Sequence, residues 1–186
     1  MKNNIRLYIL GLVTALLSAC SANKFIPEGQ YLLDDVEVIS ENKNVPPSSV
    51  KNFIRQKPNS KWFNLMKVPL GFYCLSSKDS SHVMNGFFQK IGEAPEIYDH
   101  SSALKSRNEI EKAIKNRGYM QATVRLDTLK TRNKVKAIYR ITTGKPYIIR
   151  HIAYAIDDVE IHELIEKDSL KSLLREGMVF HVETLD

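Results

Sequence analysis

Residues 113 to 127, AIKNRGYMQATVRLD, change their periodicity in the middle. Before Gly118 the apolar residues Ile110, Ala113 and Ile114 keep helical spacing. After Tyr119, Ala122, Val124 and Leu126 alternate with Thr123, Arg125 and Asp127, as one half-buried strand would. Gly118 suits the C′ position, where the left-handed backbone that ends a helix favours glycine, and Arg117 places a cation in the last turn. A helix that turns straight into a strand constrains the chain to a unit mixing α and β structure. Nothing in the stretch suggests chemistry.

The flanking segments extend the pattern. A turn at about Lys130 to Asn133 leads to Val135, Ala137, Tyr139 and Ile141, the inward face of a second strand of the hairpin. Upstream, the helix begins near Ser102 and carries Glu111 and Lys115 as an i,i+4 pair on its exposed side. Tyr31 to Ile39 reads as a first strand, with Val36 and Val38 on one face. Pro46-Pro47-Ser48-Ser49 opens a helix with Val50, Phe53 and Ile54 at i, i+3, i+4. Its serines can cap it, and Lys57-Pro58 ends it. Residues 60 to 100 hold an aromatic run (Trp62, Phe63, Phe72, Tyr73), the polar patch SSKDSSH and GFFQKIGEAPEIYD; this is too long for a simple loop and reads as an insertion with short helices of its own. The order is strand, helix, insertion, helix, strand, strand.

After Thr143-Gly144-Lys145-Pro146 the pattern restarts. Tyr147 to Ile156 reads as a strand. Asp157-Asp158 caps a helix carrying Ile161, Leu164, Ile165, Leu170, Leu173 and Leu174, and Gly177 stops it. VFHVETLD then begins something unfinished, so a fragment of a longer protein is expected.

A chain of 186 residues has room for one ordinary domain, or a small domain and part of another. No apolar run reaches the roughly 20 residues of a spanning helix. The N-terminus has the form of an export signal: Lys2 and Arg6 precede an apolar core from Leu7 to Leu17. Leu17-Ser18-Ala19-Cys20 resembles the bacterial lipobox, in which small residues precede a cysteine that is lipidated and becomes the new N-terminus. An ordinary cleaved signal with an accidental cysteine is the alternative. Two or more acyl chains would give the double anchor that stable membrane attachment requires. Ser21 rather than Asp follows Cys20, so nothing argues for inner-membrane retention. Processing removes Lys2 and Arg6 and so lowers the formal charge of +6 by two. Outside the cytoplasm no nucleic-acid partner is expected. With Cys20 acylated, Cys74 is expected to be a buried thiol, against the alternative of a Cys20–Cys74 disulfide.

The chain has no HExxH, GxSxG, P-loop or GxGxxG, and His82, His100, His151, His162 and His181 lack metal-ligand spacing. Asp34-Asp35 and Asp157-Asp158 suit a strand end and a helix cap, so no enzyme activity, cofactor or metal is expected; a hydrolase would need an acid/base cluster with no sequence signature. One charge feature stands out. Thr128 to Arg150 holds Lys130, Arg132, Lys134, Lys136, Arg140, Lys145 and Arg150 and no acid. Lys134, Lys136 and Arg140 share a strand face, which is either solvated or a contact for anionic lipid headgroups or acidic partners.

Two stretches, NEIEKAIKNRGYMQATVRL and TTGKPYIIRHIAYAIDD, resemble the polypeptide-transport-associated (POTRA) domains of the BamA/TamA superfamily. The first is similar to their helix-to-strand corner and the second to the junction between consecutive modules. With the lipobox, PEGQYLL (27–33) and KIGEAPEIYD (90–99), the chain resembles the lipidated TamA-like (TamL) branch of Bacteroidetes. The resemblance implies an α+β fold: a β-α-α-β-β module, with a three-stranded sheet and helices on one face, carrying an insertion and followed by an incomplete second module. It divides the chain into a signal peptide (1–19), a tether (20–30), a POTRA-like domain (31–145, insertion at about 60–100) and the start of a second module (146–186). It implies a lipid on Cys20, an outer-membrane location with these domains in the periplasm, and a barrel beyond them. The implied role is to help insert, assemble or translocate outer-membrane proteins, with extended clients, and a partner subunit, held transiently. The implied client surface is the sheet edge at Ala122, Thr123, Val124, Arg125, Leu126 and Asp127, where main-chain hydrogen bonds can add a strand. A free-standing lipoprotein adaptor for one envelope partner is the alternative.

Overall fold

The computed structural model describes residues 22–63, 67–76, 83–168 and 172–184. The signal, Cys20, His82 and Leu170 lie outside the described residues. Three strands, β1 (Leu32–Ser40), β2 (Thr123–Thr131) and β3 (Lys134–Thr142), form a sheet in the order β1-β3-β2. β2 and β3 are joined through Arg132 and Asn133, a two-residue hairpin loop, so they run antiparallel. β1 runs parallel to β3. Leu32 N–H donates to Asn133 O at 2.9 Å where β3 begins, and the pairs Asp34–Lys134 and Glu37–Lys136 then advance together along both strands.

The helices are α1 (Val68–Leu75), α2 (Val83–Ile91), α3 (His100–Asn116) and α4 (Val159–Asp168). The expected α+β class is the observed one. The chain groups into two compact units, one of Met1–Glu37, Arg55–Ala103 and Asp127–Ile138, the other of Val38–Ile54, Leu104–Leu126 and Tyr139–Asp186.

In the first unit Leu32, Leu70 and Cys74 form a buried cluster, with Phe25 and Ile26 packed against it. Leu70 and Cys74 of the insertion thus pack on the start of β1 and on the tether, and Cys74 is buried there. α1 and α2 are held together at Gly92, where a Cβ would fall on the backbone of Tyr73, so no larger residue fits. Glu93 N–H donates to Pro69 O at 3.1 Å across the same junction.

In the second unit Ile110, Ile114, Ala122, Val124, Tyr139 and Ile141 are buried. These are residues of the predicted helical stripe and of the two predicted strand faces. Ser106 on α3 hydrogen-bonds the Tyr139 hydroxyl, which places α3 over that face of the sheet.

Three expectations need correction. The segment from Pro46 to Lys57 forms a 3-10 helix, Pro47–Phe53, rather than an α-helix. Its bonds are of i→i−3 type, Ser49 N–H to Pro46 O and Ile54 N–H to Lys51 O, and Ile54 is already extended. Tyr147 to Ile156 is not a strand, because a strand needs a neighbour and here only 147–149 finds one: Ile148 bridges Val179 and nothing continues the ladder among the described residues. The last helix covers Val159–Asp168, shorter than predicted, and none of its residues is buried. Leu173, expected on its apolar face, is 78% exposed.

Candidate functional site

α3 is fixed at both ends by local hydrogen bonds. Asp99 caps its start, accepting from Ser101 N–H at 2.9 Å and Ser102 N–H at 3.1 Å. At its end Gly118 has φ +88°. Gly118 N–H donates to Lys115 O at 2.9 Å, and Tyr119 N–H reaches back to Ile114 O at 3.3 Å. That pair of bonds, with Tyr119 and Ile114 both buried, is the Schellman closure of a helix. Gly118 is required for a second reason. A Cβ there would fall on the Phe180 carbonyl oxygen and lie 2.8 Å from Val179 Cγ1, while Gly118 O accepts from Tyr147 N–H at 2.8 Å. Ala122 N–H then donates to Tyr119 O at 2.9 Å, and β2 begins at the next residue.

The two-residue loop fixes the register of β2. Thr131 and Lys134 face each other and exchange hydrogen bonds, so by the period of two Leu129, Asp127, Arg125 and Thr123 also turn their backbone groups to β3. The N–H and C=O groups of Val124, Leu126, Thr128 and Lys130 point away from the sheet. Glu111 confirms that parity: its Oε2 accepts from Val124 N–H at 3.2 Å, while its Oε1 pairs with Lys115 at 2.6 Å. Those contacts, the Lys115 bond foremost, hold the Glu111 carboxyl below its usual value. Beyond Val124, the outward N–H groups of Leu126, Thr128 and Lys130 meet no protein acceptor among the described residues.

Of the edge residues expected from sequence, Thr123, Val124, Arg125, Leu126 and Asp127 lie on this outer strand, and Ala122 immediately precedes it. The strand continues to Thr131, so Thr128 and Lys130 belong to the same edge although the alternation of apolar residues had faded there.

Lys134 and Lys136 lie on β3 beside the acids of β1. Lys134 pairs with Asp34 at 3.4 Å; Lys136 pairs with Glu37 at 2.9 Å and Asp35 at 3.5 Å. The insertion adds two more cations, with Lys61 at 3.6 Å from Asp35 and Lys67 at 3.1 Å from Asp34. The hydrogen bond that Lys136 donates to Glu37 holds its ammonium above the usual value. Burial depresses Lys67 by more than Asp34 raises it. Burial raises the Asp34 carboxyl, yet the hydrogen bond and charge of Lys67, with Lys134 behind them, leave it below its usual value. Four lysines thus meet three carboxylates, and the charge of the predicted basic face is largely balanced. Sequence reading missed this because the acids and Lys61 and Lys67 are remote in the chain. Arg140 is exposed on β3.

Among the described residues no helix is long and apolar enough to cross a membrane. A family model described as "POTRA: Surface antigen variable number repeat" matches residues 31–144. Among solved structures, the chain is similar to the crystal structure of Haemophilus influenzae BamA POTRA3-5, at 12% identity and a TM-score of 0.32, over 86% of this chain and 84% of that one. No curated protein matches.

Proposed function

The chain belongs to the POTRA family, and from that premise we propose that it is the periplasmic part of an outer-membrane lipoprotein of the BamA/TamA type, close to the TamL branch, anchored through lipid on Cys20. It assists the insertion, assembly or translocation of outer-membrane proteins as a scaffold, without catalysing a reaction. The supporting observation is the outer edge of β2, where the backbone groups of Leu126, Thr128 and Lys130 point away from the sheet beside a family-typical helix corner. An extended client segment pairs with these groups as a fourth strand.

Such pairing uses main-chain atoms, which every client possesses, so it tolerates many sequences. Each bond contributes a net of about 0.5–1.5 kcal/mol, because water is displaced from both partners. A few such bonds, reduced by the ordering of the client, give a contact that forms and releases readily. Glu111 sets the upstream limit of the groove by occupying Val124 N–H.

A synthetic peptide of alternating apolar and polar residues, taken from a barrel strand, should perturb the amide NMR signals of Leu126, Thr128 and Lys130. Thr128→Pro removes one outward donor and crowds the edge without touching the bonds to β3. The variant should fold and lose peptide binding. Binding by folded Thr128→Pro at wild-type strength would sink the strand-addition reading.

A further inference from the structure

The exposed large apolar side chains of the first unit are concentrated in the insertion. Trp62 is 52% exposed, Phe63 92%, and Leu75, Phe87 and Ile91 are also exposed. Phe63 sits at φ +53°, a backbone state disfavoured by about 1–2 kcal/mol for a side chain of this kind. An aromatic ring held in water on an unfavourable backbone gains nothing from this unit's own core.

The insertion is clamped to the segment next to Cys20. The Phe25 ring packs edge-on against Tyr73 of α1, with centroids 5.2 Å apart. Lys24 Nζ donates to Ser76 O at 2.6 Å. Tyr73 in turn lies under Gly92, which follows Ile91 at the end of α2, and Phe87 is one turn back. Leu75, Phe87 and Ile91 are therefore all within about a turn of one rigid junction. Cys20 precedes Phe25 by five residues, a reach of at most about 18 Å.

From this geometry we infer that the insertion is a membrane foot: Trp62, Phe63, Leu75, Phe87 and Ile91 rest in the interfacial layer of the bilayer that holds the lipid on Cys20. The inference rests on the lipoprotein reading above. A lipid at Cys20 brings these residues to the headgroups, and no other partner is placed there by the chain itself. Their composition suits that layer. Trp favours the interface, and from Ser60 to Gly92 the sequence holds four lysines against one acid, Asp79. Lys61 and Lys67 are paired with Asp35 and Asp34, while Lys90 is exposed beside Ile91, where it suits anionic headgroups. The foot adds a second, weak attachment to the acyl anchor and fixes the module close to the membrane surface.

Trp62 is the chain's single tryptophan, so its fluorescence reports on the foot alone. The chain from Cys20 onward is coupled through that cysteine to a maleimide lipid in phosphatidylethanolamine–phosphatidylglycerol vesicles; Cys74 is buried. The anchor is thus supplied whether or not a cell acylates Cys20, and labelling of Cys20 by a palmitate analogue in cells tests the lipoprotein reading separately. Trp62 emission should shift to the blue on anchoring, and brominated acyl chains should quench it, as for a tryptophan at the interface. Phe63→Ser/Phe87→Ser, both at exposed rings, should keep the circular dichroism and lose most of the quenching. Emission in anchored chains equal to that in solution overturns the foot. A blue shift produced by a barrel-strand peptide without vesicles also overturns it, assigning the surface to clients.

Discussion

The two outer strands of the sheet are treated in different ways. β1 is met at its start by the chain itself: Leu33 N–H donates to Glu96 O and Tyr98 N–H to Tyr31 O, both at 2.8 Å, with Leu32 and Ile97 bridged antiparallel. The last residues of the insertion are thus an added strand in miniature. On β2 the only backbone group engaged from outside among the described residues is Val124 N–H, and the partner is a side chain. A side chain can be displaced by a client more readily than a paired segment of backbone. On the proposed reading the contrast favours β2 as the edge open to a client, and at β1 the insertion covers an edge that would otherwise invite aggregation.

The sharpest way to break this contrast is to exchange the roles of neighbouring residues on β2. Leu129 turns its N–H to β3, whereas Thr128 turns it outward. Leu129→Pro removes a ladder bond and leaves its acceptor on β3 unpaired, which should destabilise the chain by up to about 3 kcal/mol in urea unfolding. Thr128→Pro should stay within about 1 kcal/mol of the parent, because its donor faces water. Equal losses in the two variants would mean that the register is wrong and with it the position of the free edge.

Gly118→Ala comes next. The left-handed backbone disfavours alanine by about 1–2 kcal/mol, and the new methyl group meets the Phe180 carbonyl and Val179 as well. A loss of about 2 kcal/mol is expected, again by urea. Because β2 starts five residues later, the variant should bind client peptide only in proportion to its folded fraction. The start of β1, built from Tyr31, Leu33 and 96–98, should keep its amide protection under conditions where the parent and the variant are both folded.

The ease with which this corner could be read from sequence follows from its locality. Ile114, Gly118 and Tyr119 form the Schellman closure within six residues, and a helix stripe meeting a strand alternation leaves a clear mark in the order of residues. The predicted Glu111–Lys115 pair also forms at i,i+4. The contact from Glu111 to Val124 spans 13 residues and left no local signal. The same is true of the ladder, where Lys67 and Asp34 are 33 apart. The strand expected at Tyr147 to Ile156 fails for the converse reason. Its residues have strand character, but β propensity needs a neighbouring strand to act on. The 3-10 helix at Pro47–Phe53 shows a related limit, since helical spacing of Val50, Phe53 and Ile54 does not distinguish 3-10 from α in so short a segment.

A smaller effect is expected at the latch that limits the β2 edge. Glu111→Gln removes the charge that holds Lys115 and weakens the bond to Val124 N–H, a loss of about 0.5–1 kcal/mol. The pH dependence has a definite sign. The folded-state carboxyls of Glu111 and Asp34 lie below their usual values, so their stabilisation is present above the unfolded-state values and is lost as pH falls through the folded ones. Stability should therefore decline on acidification below about pH 4, and Glu111→Gln should remove part of that decline. The variant should also free Val124 N–H and lengthen the peptide footprint by one pair of bonds, seen as an NMR perturbation at Val124 on peptide addition. An unchanged footprint would leave the β2 edge without an upstream latch.

The smallest effect concerns the turn that sets the register. Arg132 lies at φ +52° in the two-residue loop, a state glycine adopts freely. Arg132→Gly exchanges that strain for the larger chain entropy of glycine in the unfolded state, a net gain of a few tenths of a kcal/mol. Its value is in where the gain is felt. A firmer turn should slow hydrogen exchange at the inward amides of Asp127, Leu129 and Thr131, which bond to β3. The outward amides of Leu126, Thr128 and Lys130 should keep exchanging fast, because no strand covers them. Leu33, whose outward amide bonds Glu96, should be slow in both proteins. An alternation of fast and slow amides along β2, with no fast amide at Leu33, is what an open edge opposite an internally covered one requires; uniformly slow exchange along β2 would mean that the edge is already occupied.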